Sequence, residues 1–201
     1  MQMMIYICNK RRTPIGVCLN EGTKRSKIEI LFRNYTIKAV KIGIVPSLDY
    51  LNKIIFAIKK LSPKTKIIWD TIIKSTTDFE FLFLKNQKLL IEILKEIYLI
   101  TPNYNEILQL SSKETNAETT AILLSKYCSV YLKGGHNPNE IGTDYLYTQN
   151  SIHKHLPKAD NCHEKHGSGC VLSSAITANL ALEQNLNTAC KNAKIYTESF
   201  L

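Results

Sequence analysis

The chain of 201 residues has no apolar run of the roughly 18 to 20 residues that a membrane-crossing helix requires, so no transmembrane helix is expected. Aromatic residues make up only 8% of it, with one tryptophan, Trp69. They are not interleaved with the basic residues, so nothing suggests a stacking platform for single-stranded nucleic acid. The six cysteines, at 8, 18, 128, 162, 170 and 190, form no Cys-x-x-Cys pair and no framework spacing. Free thiols in a reducing cytoplasm are therefore the expectation. The apolar start, Met1 to Cys8, has no basic segment before it and no small-residue cleavage site after it, so a secretory leader is not expected. Internal repeats and low-complexity linkers are absent too, and 44% hydrophobic residues over this length fit one domain, 1–201, with a sizeable core.

Acidic residues are scarce in the first third. Residues 1–66 hold 14 Lys and Arg against 3 Asp and Glu, while residues 67–201 hold 12 against 14. Such asymmetry can mark a nucleic-acid or anionic partner. Here the basic residues are scattered and carry no motif, so a solvated face is the simpler reading and nucleic acid is not an expected partner.

What is present reads as strands alternating with helices. Residues 5–8 and 15–19 are short strand candidates on either side of a break at Lys10 to Pro14, and residues 28–32 and 37–45 are rich in β-formers. From Pro46-Ser47, the spacing of Leu48, Leu51, Ile54, Ile55, Ile58 and Leu61 predicts a helix, stopped by Ser62-Pro63. Lys66 to Trp69 predicts a buried strand ending at Asp70. Further helices are expected at 86–96, 117–127, 169–183 and 187–199, strands at 98–100 and 129–132, and a hairpin from 144–148 and 151–156. This alternation argues for a parallel sheet covered on both faces, with ligands gathering at the carboxyl ends of its strands. Asp70, Asn103, Lys133 and the Gly167 loop all fall at such ends.

The segment His166-Gly167-Ser168-Gly169-Cys170 opens a run of small and apolar residues that reads as a buried helix. The first N–H groups of a helix are unpaired and carry partial positive charge, so they can receive an anion, and glycine lets bare backbone approach it. A cysteine on the first turn would have its thiolate favoured by the same field. The same residues also suit a plain loop followed by a core cysteine. Asn103 and Glu106 have the spacing of a helix capping box as well as that of two oxygen donors for a hydrated cation. Cys162, His163, His166 and Cys170 lie close together, but in an order that fits no common zinc module.

Five segments, in order, resemble the hydroxymethylpyrimidine and phosphomethylpyrimidine kinases of the ribokinase-like group. Val40-Lys41-Ile42-Gly43-Ile44 resembles their Val-Lys-Ile-Gly-Met, and Ile68-Trp69-Asp70 the strand before their Asp-Pro-Val. Ile100-Thr101-Pro102-Asn103-Tyr104-Asn105-Glu106 resembles Thr-Pro-Asn-x-x-Glu, and Leu132-Lys133-Gly134-Gly135-His136 a Lys-Gly-Gly-His turn. His166 to Ile176 resembles their anion-hole segment. The resemblance implies an α/β fold, a three-layer sandwich with a mostly parallel central sheet flanked by helices. It also implies ATP-dependent phosphorylation of 4-amino-5-hydroxymethyl-2-methylpyrimidine, or of its monophosphate, in thiamine biosynthesis. Mg²⁺ would be the cofactor, with ATP and a small pyrimidine as the partners. Cys170 would be the catalytic base, its thiol needing only a modest downward shift to serve near neutrality. Gly167, Ser168 and Gly169 would form the anion hole. Lys133, Asn103, Glu106 and Asp70 would serve the nucleotide and its phosphates, with Glu106 and Asn103 holding Mg²⁺ through water. Gly43 and Ile44 would face the pyrimidine, and Asp144 matches the aspartate opening the next strand.

The resemblance covers residues 37–201 and weakens over 1–36. The family's early loop, Gly-x-Asp-x-Ser-Gly-Gly-Ala-Gly, does not occur in these 201 residues, so its first βαβ unit reads as incomplete. Thr71 stands for the family proline and Ile44 for its methionine. An incomplete edge would expose sheet that a partner or a second copy would cover. The alternative function is a catalytically impaired relic that binds nucleotide or a protein partner.

Overall fold

The structure, a computed structural model, describes residues 3–9, 14–19, 24–73, 82, 84, 86–111, 115–137, 139–158 and 167–199, with side chains from residue 28 onward. Eight strands form one sheet: β1 (Met3–Asn9), β2 (Pro14–Leu19), β3 (Ile37–Ile42), β4 (Lys66–Trp69), β5 (Leu99–Ile100), β6 (Ser129–Leu132), β7 (Asp144–Tyr147) and β8 (Ile152–His155). Their order is β2-β1-β3-β4-β5-β6-β7-β8. The four central strands, β3 to β6, are parallel. Antiparallel hairpins extend the sheet at both edges. Among the described residues, the edge before β3 carries the β1–β2 hairpin, and β2, parallel to β3 with β1 between them, leads to β3 through the helix at 24–34.

Side chains of successive strand residues point to opposite faces, and the sheet uses both. Val40, Ile42, Ile67, Trp69, Ile100, Val130 and Leu132 face one core. It is closed by α1 (Lys24–Asn34), α2 (Leu48–Leu61), α3 (Gln87–Glu96), α4 (Tyr104–Gln109) and α5 (Ala117–Leu124). Ala39, Ile68, Leu99, Tyr131 and Leu146 face the other, closed by α6 (Ser168–Ala181) and α7 (Leu186–Glu198). The result is a helix–sheet–helix sandwich. Helix α6 lies flat on the parallel strands through Leu172, Ile176 and Leu180, with small residues between them that let it approach closely.

The β-rich reading of 28–32 is corrected: these residues belong to α1. Ile28, Leu31 and Phe32 recur at helical spacing and pack on the first core, so tertiary burial overrides the local β preference. Strand β3 stops at Ile42 rather than at 45, and α5 ends at Leu124, with residues 125–127 forming a turn. The break at Lys10 to Thr13 lies outside the described residues.

Candidate active site

The parallel strands deliver the motif residues to one end of the sheet. Gly43 and Ile44 follow β3, Asp70 follows β4, Asn103 follows β5 and Lys133 follows β6. Backbone pairing continues past the strands and fixes these ends. The Asp70 N–H donates to the Ile42 carbonyl at 2.8 Å, that of Thr101 to Trp69 at 3.1 Å and that of Lys133 to Pro102 at 2.8 Å. Asn103 and Lys133 also form an isolated parallel bridge. Across the second face, the first turn of α6 comes down on the same spot, and a Cβ added to Gly169 would stand 3.3 Å from the Lys133 ammonium.

Asp70 is the hub. It is fully buried, and four side-chain donors saturate its two oxygens. Oδ1 accepts from the Thr101 hydroxyl at 3.1 Å and the Lys133 ammonium at 3.3 Å. Oδ2 accepts from the Ser173 hydroxyl at 2.8 Å and pairs with the Lys41 ammonium at 3.1 Å. Burial alone would push the carboxyl up. The charges of Lys133 and Lys41 and the Ser173 hydroxyl outweigh that and hold it below the ordinary carboxylate value. Asp70, read from sequence as a nucleotide-binding group, is fully buried and pairs with two ammonium groups, Lys41 and Lys133.

Lys133 bridges Asp70 and Glu106, the latter at 3.5 Å. Burial works against its charge, but the two carboxylates prevail and keep the ammonium protonated far into the alkaline range. With Lys41, it is one of two cations beside the first turn of α6 among the described residues. Its backbone is set by the next residue: a Cβ on Gly134 would collide with the Thr143 backbone, and the Gly134 N–H donates to Asp144 Oδ1 at 2.7 Å.

Asn103 and Glu106 do form a capping box at the start of α4. Asn103 Oδ1 accepts from the N–H groups of Asn105 at 2.9 Å and Glu106 at 2.8 Å, while Glu106 Oε2 accepts from the Asn103 N–H at 2.7 Å. The Asn103 oxygen is thereby saturated. Glu106 Oε1 has no hydrogen-bond partner among the described residues, and burial raises its carboxyl although Lys133 pulls it down. This donor set fits a hard cation held through water by Glu106, with Asn103 orienting that carboxylate. No cluster of three metal-ligating side chains occurs among the described residues.

Gly167 caps α6 with φ 88°, a left-handed conformation that favours glycine, and no side chain among the described residues caps this helix end. Ser168 and Gly169 are half-buried, and Cys170 is exposed on the first turn. The expected downward shift of its thiol is corrected. Loss of water on its protein side and the neighbouring Asp70 carboxylate raise it, while Lys41 and Lys133 pull it back only in part. His166, and with it the Cys162, His163 and His166 grouping, lies outside the described residues. Gly43 is buried and Ile44 half-buried at the end of β3, next to Asp70. Thr71, standing where the resemblance has proline, is fully buried, and its hydroxyl has no partner among the described residues. Asp144 serves a separate network, accepting from Tyr131 and Lys194, each at 3.0 Å.

Sequence reasoning named Asp70, Asn103, Glu106, Lys133 and the Gly167 loop but missed Lys41, Thr101 and Ser173 as the groups that hold Asp70. A signal existed for Lys41: a lysine inside a strand whose neighbours are all apolar must be paired if that strand is buried.

Comparison with known proteins places this geometry. A family model described as phosphomethylpyrimidine kinase matches residues 17–201. A hydroxymethylpyrimidine/phosphomethylpyrimidine kinase of Aquifex aeolicus is 29% identical over 184 residues, covering 85% of this chain and 69% of that protein. A bifunctional thiamine biosynthesis protein of Methanocaldococcus jannaschii is 28% identical over 187 residues, covering 90% of this chain and 40% of its own length. The crystal structure of a phosphomethylpyrimidine kinase from Clostridium difficile superposes with a TM-score of 0.72 at 28% identity, covering 98% of this chain and 84% of that one. The fold alone is shared with a Bacillus subtilis pyridoxal kinase in its ADP complex, at a TM-score of 0.73 and 22% identity. With the ribokinase-like sandwich and the motif residues gathered at one sheet end, the chain belongs to the phosphomethylpyrimidine kinase family, a family of phosphotransferases.

Proposed function

We propose that the chain transfers the γ-phosphoryl group of ATP to the hydroxymethyl oxygen of 4-amino-5-hydroxymethyl-2-methylpyrimidine, or to the phosphate of its monophosphate. The observation that carries this reading is the convergence of Lys133, Glu106 and the uncapped first turn of α6 around a buried Asp70. That arrangement offers fixed positive charge, a cation-directed carboxylate and free N–H groups within one site. Phosphoryl transfer needs little else from a protein, because its catalysis is positioning and charge stabilisation.

In this reading the N–H groups of Gly167, Ser168, Gly169 and Cys170 receive the transferring phosphoryl oxygens. Lys133 sits against the phosphate chain from the β6 side. Glu106, its Oε1 available, would hold Mg²⁺ through water, and the ion would offset charge on the phosphates. Gly43 and Ile44 line the acceptor side at the end of β3. For the hydroxymethyl acceptor, a bond forms from its oxygen to the γ-phosphorus as the bond to the β–γ bridging oxygen breaks. ADP leaves, and the hydroxyl proton passes to the Cys170 thiolate.

The relic reading, in which burial and the Asp70 carboxylate push the Cys170 thiol up and away from service as a base, predicts nucleotide binding without turnover. The test is ADP release from Mg-ATP by the purified protein with each pyrimidine as acceptor. Acceptor-dependent ADP release together with a phosphorylated pyrimidine is the expected result. ATP binding without any acceptor-dependent release would replace the kinase reading with the relic.

A further inference from the structure

Lys41 is 1% exposed inside β3, where Ala39, Val40 and Ile42 are fully buried. An ammonium in such a place is costly unless paired, and a well-packed apolar residue is often no less stable there than a buried ion pair. Stability is therefore a weak reason for a lysine at this position. The geometry gives a better one. The side chain leaves the sheet on the α6 face, and among the described residues its nitrogen reaches three acceptors: Asp70 Oδ2 at 3.1 Å, the Cys170 carbonyl at 3.2 Å and Ser174 Oγ at 3.4 Å. Two of the three lie on the opening turns of α6.

We propose that Lys41 is a positioning residue for phosphoryl transfer, a buried cation that ties the first turn of α6, and with it Cys170, to the Asp70 hub. This inference rests on the kinase reading of the site. The start of α6 gains from such a tie because, among the described residues, it has no side-chain cap and it contains two glycines. Within the helix the Ser173 and Ser174 hydroxyls donate to the Gly169 and Cys170 carbonyls, and Lys41 adds the link to the sheet. Ser173, hydrogen-bonded to Asp70 Oδ2, holds the same helix one turn further along. Lys41 also shares the Asp70 charge with Lys133. Without it Asp70 would hold Lys133 alone, drawing that ammonium down from the phosphate side toward the sheet. A displacement of about 1 Å at a reacting centre is worth about 100-fold in rate.

The test uses the full chain with Lys41→Met and Lys41→Gln. Lys41→Met is expected to lower kcat about 100-fold, with the pyrimidine KM changed less than about threefold. Alkylation of Cys170 by iodoacetamide at pH 8, followed on its own peptide by mass spectrometry, is expected to slow about tenfold, because the thiolate loses a cation beside it. Lys41→Gln keeps an N–H donor toward the Cys170 carbonyl without the charge, and is expected to fall between Met and Lys in kcat. If Lys41→Met does not fold, Lys41→Gln carries both measurements. A kcat within about twofold of the parent in a folded variant, or an unchanged alkylation rate, overturns the proposal. Absence of turnover in the parent chain overturns the kinase reading alone, and the alkylation ratio then still decides for or against Lys41.

Discussion

Cys170 sits between opposing influences. The opening of α6, Lys41 and Lys133 favour its thiolate, while Asp70 and lost hydration favour the thiol, and the thiol wins. The sign of the pH dependence follows. A base that must be ionised, with its pKa above the ordinary thiol value of about 8.5, gives a rate that climbs with pH and reaches no plateau below that value. The kcat–pH profile of the parent checks this. Cys170→Ala is expected to remove about 10²- to 10⁴-fold of kcat and to flatten that alkaline rise, while leaving the fold intact because the residue is exposed. Undiminished activity in the variant would show that another group takes the proton. Asp70 has the opposite sign. Its lowered carboxyl contributes stability above the unfolded carboxylate value of about 3.9, and that contribution is lost as pH falls through the depressed folded value.

Single turns at the ends of elements decide where those residues stand. The 3₁₀ turn Gly134–His136 after β6 is locked by hydrogen bonds from the N–H groups of Gly142 at 2.9 Å and Asn137 at 3.0 Å to the Gly134 carbonyl. It leaves no room for a Cβ at Gly134 against the Thr143 backbone. Gly134→Ala is therefore expected to destabilise the protein by about 1–3 kcal/mol, an overpacking cost that urea unfolding would read as a lower midpoint at unchanged slope. Because Lys133 precedes this turn, the ATP KM of the variant is expected to rise as well. An unchanged midpoint would mean that the Thr143 strand end yields easily. At this scale much was legible. Capping by Ser47, Asn103 and the Gly167 turn follows from residue type and spacing. The placement of 28–32 in a helix was not, because Ile28, Leu31 and Phe32 suit either period until a core selects one.

Across the whole molecule the sheet serves as a table with helices on both sides, and only its α6 face carries the buried charges of the site. Lys41 and Asp70 share that face with Ala39 and Ile68 because alternate residues of β3 and β4 point the same way. A ligand that bridges α6, Lys133 and α4 would clamp three layers at once. Mg-ATP at about 100 times its Kd is expected to add about 2.7 kcal/mol, or roughly 5–10 °C in Tm for a domain of this size, and Lys133→Met to remove most of that gain. A thermal scan without any shift at saturating nucleotide counts against the kinase and the relic alike. The sequence by itself determined the alternation of strands and helices and the motif residues at their ends, because periodicity, turn residues and caps are local and act over a few positions. Only the tertiary structure decided that Lys41, Thr101 and Ser173, from three separate elements, meet on one carboxylate. It also decided that Asp70 is fully buried, and that burial and this carboxylate push the Cys170 thiol up. Burial and charge pairing depend on neighbours distant in the chain, and those are set by packing.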